Sequence, residues 1–185
     1  MRWYLLKTWA GREEELAEKI RKIVPSYIYQ ECFVIYQERI WRRQQKSIVH
    51  VEPMWPGCVF LTCKEGHILQ KTEEPSECSE GIASIAGLIA GGSLTILPLA
   101  KEDTDFLSRI SGKDHLVKLS YVLKNEKGQI SQISDPLKGC CGQIERYQFK
   151  KRYVMVRHRL WGEEQAIVLG IILKEDRDQM LLYKS

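Results

Sequence analysis

Histidine is scarce in this chain, and the groupings that enzymes build around it are missing. The four histidines, at 50, 67, 115 and 158, are scattered. No nucleophile elbow appears, and the Gly87…Gly91-Gly92 stretch lacks the Lys-Ser/Thr that completes a phosphate-binding loop. These gaps argue against an enzyme, and nothing asks for a cofactor or a metal. The six cysteines (32, 58, 63, 78, 140 and 141) show no Cys-x-x-Cys spacing and have few histidines nearby. Adjacent Cys140 and Cys141 are a poor start for ordinary disulfide geometry. The expectation is therefore reduced thiols in a cytoplasm, with neither a zinc site nor a disulfide framework. Long apolar runs are missing too. The stretch Ile82–Ala90 is short and broken by Gly87, too little to cross a bilayer. The N-terminus enters a strand pattern at once, with no signal peptide. No membrane partner is expected.

Acid is in short supply in one place only. Residues 1–100 carry twelve basic and twelve acidic side chains, and residues 101–185 carry sixteen and twelve, so the net charge of +4 is all C-terminal. From Lys138 to Arg159 there are seven Lys/Arg against one acid, Glu145. Such an imbalance suits phosphate. The same region is strand-patterned. Two turns, Ser134–Gly139 and Leu160–Glu164, flank Gln143–Tyr147 and Tyr153–Arg157, which alternate apolar and polar residues as half-buried strands do. Ala166–Leu173 supplies a further apolar strand. A small β-barrel is the simplest structure that buries one face of each strand without open edges.

At 185 residues the chain fits one large or two small domains. Arg2–Trp9 reads as a strand. A helix follows Gly11, with Glu13, Glu14 and Glu15 in its first turn, a buried stripe at Leu16, Ala17, Ile20, Ile23 and Val24, and Pro25 as its stop. One long or bent strand is expected over Cys32–Tyr36 and Glu38–Arg43, with further strands at Ser47–Glu52 and Cys58–Cys63. A short helix is expected at His67–Lys71, loop at Glu73–Glu80, an extended run at Leu94–Leu99 and a helix near Lys101–Ile110. This order gives an α+β sandwich, helices on an antiparallel sheet. The expected domains are 1–112, a linker 113–127 and a barrel 128–185.

Four motifs in order carry a resemblance. They are Trp3-Tyr4-Leu5-Leu6 with Gly11-Arg12-Glu13-Glu14, then Pro53-Met54-Trp55-Pro56-Gly57-Cys58-Val59-Phe60-Leu61, then Asp135-Pro136-Leu137-Lys138-Gly139 running on to Ile144, and finally Leu160-Trp161-Gly162-Glu163-Glu164. Over nearly its whole length the chain resembles the NusG family of bacterial transcription elongation factors. The resemblance implies a NusG N-terminal (NGN) domain followed by a KOW SH3-like β-barrel. Cys58 stands where a Tyr is usual and Asp135 where a Gly is usual, and the long linker often seen before the barrel is missing. The compact arrangement is most similar to the LoaP group of antiterminators. That likeness implies binding to RNA polymerase, suppression of pausing and termination, and recruitment through a hairpin in the leader transcript. The alternatives are a general NusG-type factor bridging polymerase to ribosome or Rho, and a KOW protein that binds ribosomal RNA.

Bulky residues in or beside strands are ordinarily core. The resemblance nevertheless implies that some of Trp3, Tyr4, Ile35, Trp55 and Phe60 grip the clamp helices of the polymerase β′ subunit. The expected contact set is Trp3, Tyr4, Trp55 and Phe60, with Trp55 at a turn as anchor. Arg39, Arg42, Arg43 and Lys46, with Trp41 among them, cluster at a strand end and turn. They are either a solvated tip or a phosphate contact. Lys150, Lys151, Arg152, Arg157, His158 and Arg159 form the strongest basic run and are the candidate RNA-binding surface. The resemblance also implies that Leu137, in the first barrel turn, meets a ribosomal protein or Rho.

Overall fold

The structure is a computed structural model that describes residues 1–43, 46–63 and 95–177, apart from the side chains of Arg43, Lys46 and Thr95. The expected helix at His67–Lys71, the loop at Glu73–Glu80 and the apolar run Ile82–Ala90 lie outside the described residues. The chain divides into two compact units. The first comprises Met1–Ile35 and Trp55–Thr104, and the second Tyr36–Met54 and Asp105–Ser185.

In the first unit, apolar runs make the strands and their partners hide them. Strand β1 (Arg2–Lys7) buries its four central residues, and it lies between β5 (Cys58–Cys63) and β6 (Thr95–Pro98), both antiparallel. Strand β2 (Glu31–Phe33) borders β5, so the sheet order is β2-β5-β1-β6. All six residues of β5 are buried, which is why Cys58–Cys63 reads as a continuous apolar run rather than an alternating one. Helix α1 (Glu13–Ile23) turns Leu16, Ala17 and Ile20 inward. Each fully buried Leu or Ile contributes about 1.5–3 kcal/mol. Ile23, placed in that stripe by its spacing, is half exposed instead. The helix carries acids in its first turn and Arg21 and Lys22 in its last, matching its dipole.

Glu13 is not part of a solvated acidic face. It is 4% exposed, and its Oε1 accepts the N–H groups of Gly11 at 3.0 Å and Gly57 at 2.5 Å. The carboxylate thus fastens the helix start to the Trp55–Cys58 turn. Burial pushes its carboxyl up, but backbone donors from Gly57, Glu13 itself and Gly11 outweigh burial and hold it below its ordinary value of 4.5. A group lowered on folding stabilises above its unfolded pKa, and that contribution fades as pH falls through the folded one. Glu13→Gln is therefore expected to cost about 1 kcal/mol at neutral pH. Urea unfolding at pH 7 and pH 3 checks this, because the gap between variant and wild type should narrow in acid.

The second unit holds two sheets. In one, β3 (Tyr36–Arg43) pairs antiparallel with β4 (Lys46–Pro53) and parallel with β7 (Leu116–Val117), in the order β4-β3-β7. The other contains β8 (Ser120–Lys124), β9 (Ile130–Ile133), β10 (Ile144–Gln148), β11 (Tyr153–Leu160) and β12 (Glu163–Leu173), in the order β10-β11-β12-β8-β9. Its pairs are antiparallel except β12 with β8. Val154, Val156, Leu160, Ile167, Leu169 and Ile171 make its core, each at most 4% exposed.

Two expectations are revised here. Residues 120–124, assigned to a linker, form β8 inside the five-stranded sheet, because Val122 at 1% exposure is as apolar and buried as any core residue. The β3–β4 hairpin, placed in an N-terminal domain of 1–112, groups with the C-terminal segment. Gly170 shows why: a Cβ there would stand 2.5 Å from the Glu38 carbonyl oxygen and 2.7 Å from Leu119 Cδ2, so the glycine lets β12 approach β3 closely. The Glu38 carboxylate also accepts the Leu119 N–H at 2.9 Å. Helix α2 (Lys101–Ser111) buries Phe106, Leu107 and Ile110.

Candidate functional site

Pairing in the first unit decides which aromatic residues reach a surface. Leu5 and Phe33 lie opposite Phe60, and Trp3 lies two residues from Leu5 on the same face. The rings accordingly cluster. Trp3 meets Phe33 edge-on at 5.3 Å and Phe60 at 6.4 Å, while Phe33 and Phe60 stack at 5.8 Å. Such pairs add about 0.5–1.5 kcal/mol to area burial. Trp3, Tyr4 and Phe60 are 5%, 1% and 1% exposed, so three of the four expected polymerase contacts sit in the core. Trp55 is half-buried at the rim of this cluster, 6.3 Å from Phe60. It is held in the turn where Cys58 N–H donates to its carbonyl.

Strand alternation sorts the hairpin cations of the second unit. Arg39 and Trp41 share one face of β3, opposite His50 and Ile48 of β4. Trp41 is 62% exposed and its ring lies 3.9 Å from that of His50. Arg39 is drawn inward, over the Tyr153 ring at 5.5 Å and toward Glu52 at 4.0 Å. Arg42 is exposed. The side chains of Arg43 and Lys46 lie outside the described residues.

The second basic run is not one surface. In β11, Val154, Val156 and Leu160 point into the core while Arg157 and Arg159 are exposed. His158 falls between them on the inner side, stacked on Phe106 at 3.9 Å, with Nδ1 2.8 Å from Gln143 Nε2. Arg157 pairs with Glu145 at 2.7 Å and with Glu164 at 3.7 Å, and Arg159 donates to the Gly162 carbonyl at 3.0 Å. Lys150 and Lys151 are exposed in a short 3-10 turn, Phe149–Lys151.

Arg152 differs from its neighbours. It is 3% exposed and takes the left-handed conformation (φ 57°) that ends the turn. Its Nε donates to Asp176 Oδ2 at 2.5 Å, its Nη2 to Glu175 at 2.8 Å and its Nη1 to the Phe149 carbonyl. Asp176, fully buried, also accepts the Leu173 N–H and the Ser47 hydroxyl, each at 3.0 Å. Arg152 is thus spent on holding the fold, and the expectation that it binds RNA is corrected. Leu137 is corrected likewise. It is 0% exposed, and its N–H donates to Ser120 Oγ at 3.0 Å, so it presents no side chain to a partner. A 3-10 stretch, Leu137–Gln143, occupies what the sequence suggests is a simple turn.

Two candidate cations do come together. Arg42 and Lys150 line a cleft of about 440 Å³ along with Lys124, Phe149 and Lys174. Lys124 and Lys174 escape a reading of sequence because each is a lone lysine at a strand's end.

Four of the five described thiols are buried, and Cys141 is exposed. Cys32, Cys58 and Cys140 are among the buried four. Burial pushes Cys32 up to about 12 and raises the other two. Among the described residues, no group of three or more His, Cys, Asp or Glu side chains is placed to hold a metal ion. No described helix is long and apolar enough to cross a membrane.

A helix-backed antiparallel sheet with a Pro-Gly turn at its aromatic rim makes the first unit, and two β-sheets with a helix make the second, an α+β architecture. The model of the family described as Transcription termination factor nusG matches residues 1–107. The chain belongs to the NusG family. A search of curated proteins gives no match.

Proposed function

We propose that the protein is a transcription elongation factor of the antiterminating kind, specialised like the LoaP group. It binds RNA polymerase, suppresses pausing and termination, and is recruited by a hairpin in the nascent leader RNA. The family match over residues 1–107 carries the elongation-factor reading. The finer reading is supported by Lys150, Lys151 and Arg159, which have no carboxylate partner among the described residues. We take the five-stranded sheet as a KOW-type barrel.

The mechanism is binding, not chemistry. The factor stabilises whichever polymerase state it holds more tightly, here the closed and processive one. Trp55 is the contact to the β′ clamp helices, since it is the expected aromatic anchor that retains exposed surface. Lys150, Lys151 and Arg159 add a second tether to RNA, and two tethers raise occupancy through effective concentration. Electrophoretic shifts with a panel of leader stem-loops test the recruitment step. Salt-dependent, structure-selective binding is expected. Uniformly absent binding would favour a general factor bridging polymerase to ribosome or Rho. Co-purification with ribosomes alone would point instead to a ribosomal-RNA-binding protein and overturn the reading.

A further inference from the structure

Four exposed cations surround one cleft in the second unit, and none has a carboxylate partner among the described residues. Arg42 ends β3, Lys124 ends β8, Lys150 sits in the 3-10 turn before β11, and Lys174 follows β12. The fifth basic residue at the cleft, Arg152, is neutralised by Asp176 and by Glu175, the acid that lines the same cleft. Against those two carboxylates the five basic residues leave three positive charges in surplus, carried by the other four side chains.

Like charges gathered around one opening repel over about 8–10 Å at physiological salt. An anion in the opening would relieve that repulsion. The frame beneath is rigid. Arg152, fastened to Asp176, fixes the turn that carries Lys150, and Asp176 accepts the Leu173 N–H beside Lys174. An aromatic pair holds one of the cations in place: Lys124 Nζ lies 3.3 Å over the Phe149 ring, which stacks on Tyr147 at 5.3 Å.

We propose that this cleft binds the phosphodiester backbone of nucleic acid, with Arg42, Lys124, Lys150 and Lys174 neutralising successive phosphates. A small anion is the poorer fit. Sites for small ligands enclose them with a few buried polar groups, whereas these charges are exposed, sit on long side chains and come from four separate segments. Spaced cations match a polymer of spaced phosphates. The inference rests on the nucleic-acid part of the function proposed above and names Lys124 and Lys174, which the basic run 150–159 does not include.

The test uses the full-length protein and fluorescence anisotropy with three probes of equal phosphate number: an RNA stem-loop, single-stranded DNA and duplex DNA. Lys124→Glu and Lys174→Glu are compared with Lys113→Glu, an exposed lysine of the same unit outside the cleft. Each cleft reversal is expected to weaken binding about tenfold and to lower the salt slope by about 1 or more, with a clearly smaller effect for Lys113→Glu. Lys174→Ala should act in the same direction with unchanged thermal unfolding, which separates lost charge from lost fold. Equal effects at all three positions would overturn the cleft while leaving nucleic-acid binding intact. Binding to DNA but not RNA, still sensitive to Lys174→Glu, would uphold the cleft and overturn leader-RNA recruitment. No binding to any probe would overturn both.

Discussion

Asp176→Ala is expected to destabilise the protein by about 3–5 kcal/mol, because it strands a buried guanidinium. Asp176 is fully buried and Arg152 is 3% exposed. Removing the carboxylate leaves Arg152 with Glu175, whose side chain is 62% exposed and which offers only a solvent-screened partner. It also removes the acceptor of the Leu173 N–H and of the Ser47 hydroxyl, and the buried Leu173 N–H adds to the penalty. Glu175→Ala, by contrast, should cost no more than about 1 kcal/mol. Replacing both members of the buried pair by apolar residues, Arg152→Met with Asp176→Leu, should recover much of the loss, since the pair's own desolvation cost disappears with it. Denaturant midpoints of the three variants and the wild type check the scheme. A small effect of Asp176→Ala would show that Arg152 reaches water and is free for another role.

Gly57→Ala is the second large loss, about 3 kcal/mol. Gly57 has φ +79°, and a Cβ there would lie 2.6 Å from the Thr8 carbonyl oxygen, a backbone atom that cannot swing aside. The same residue accepts the Thr8 N–H at 2.8 Å and donates to Glu13, so relieving the clash breaks both bonds. Gly11→Ala is the control. Its φ is +86°, yet nothing lies within 4 Å of the added carbon, and the expected cost falls to about 1 kcal/mol of conformational strain. Thermal unfolding of the two variants side by side separates strain from collision.

These positions also show what a reading of sequence reaches. Local chemistry was legible. Acids after Gly11 and the Pro25 stop place α1, alternation places β10 and β11, and Pro56-Gly57 announces a tight turn. Partners far along the chain were not. Lys150-Lys151-Arg152 looks like a uniform solvated run, and only a carboxylate 24 residues later draws Arg152 inside. Ser47 and Asp176 meet across 129 residues, so the β3–β4 hairpin's place in the second unit has no local sign. The parallel pairing of β12 with β8 is equally invisible, because Tyr121-Val122-Leu123 is too short to declare a strand by period. Some of the miss was avoidable. A period of two already separates His158 from Arg157 and Arg159, and a strand residue as apolar as Phe60, paired on both sides, belongs in a core.

The candidate polymerase surface is narrower than the motif suggests. Substituting Trp3, Tyr4 or Phe60 would dismantle the aromatic core and report on folding rather than binding. Trp55 alone of that set combines exposed surface with a turn fixed by Gly57 and Glu13. The central claim is that this chain clamps onto RNA polymerase through that residue. Its most direct test is the affinity of the purified protein for core RNA polymerase, wild type against Trp55→Ala, with thermal unfolding followed in parallel. The account predicts binding by the wild type and a loss of about 2 kcal/mol, roughly 30-fold, in a variant that stays folded. Equal affinity of the two, or no affinity in either, would contradict it.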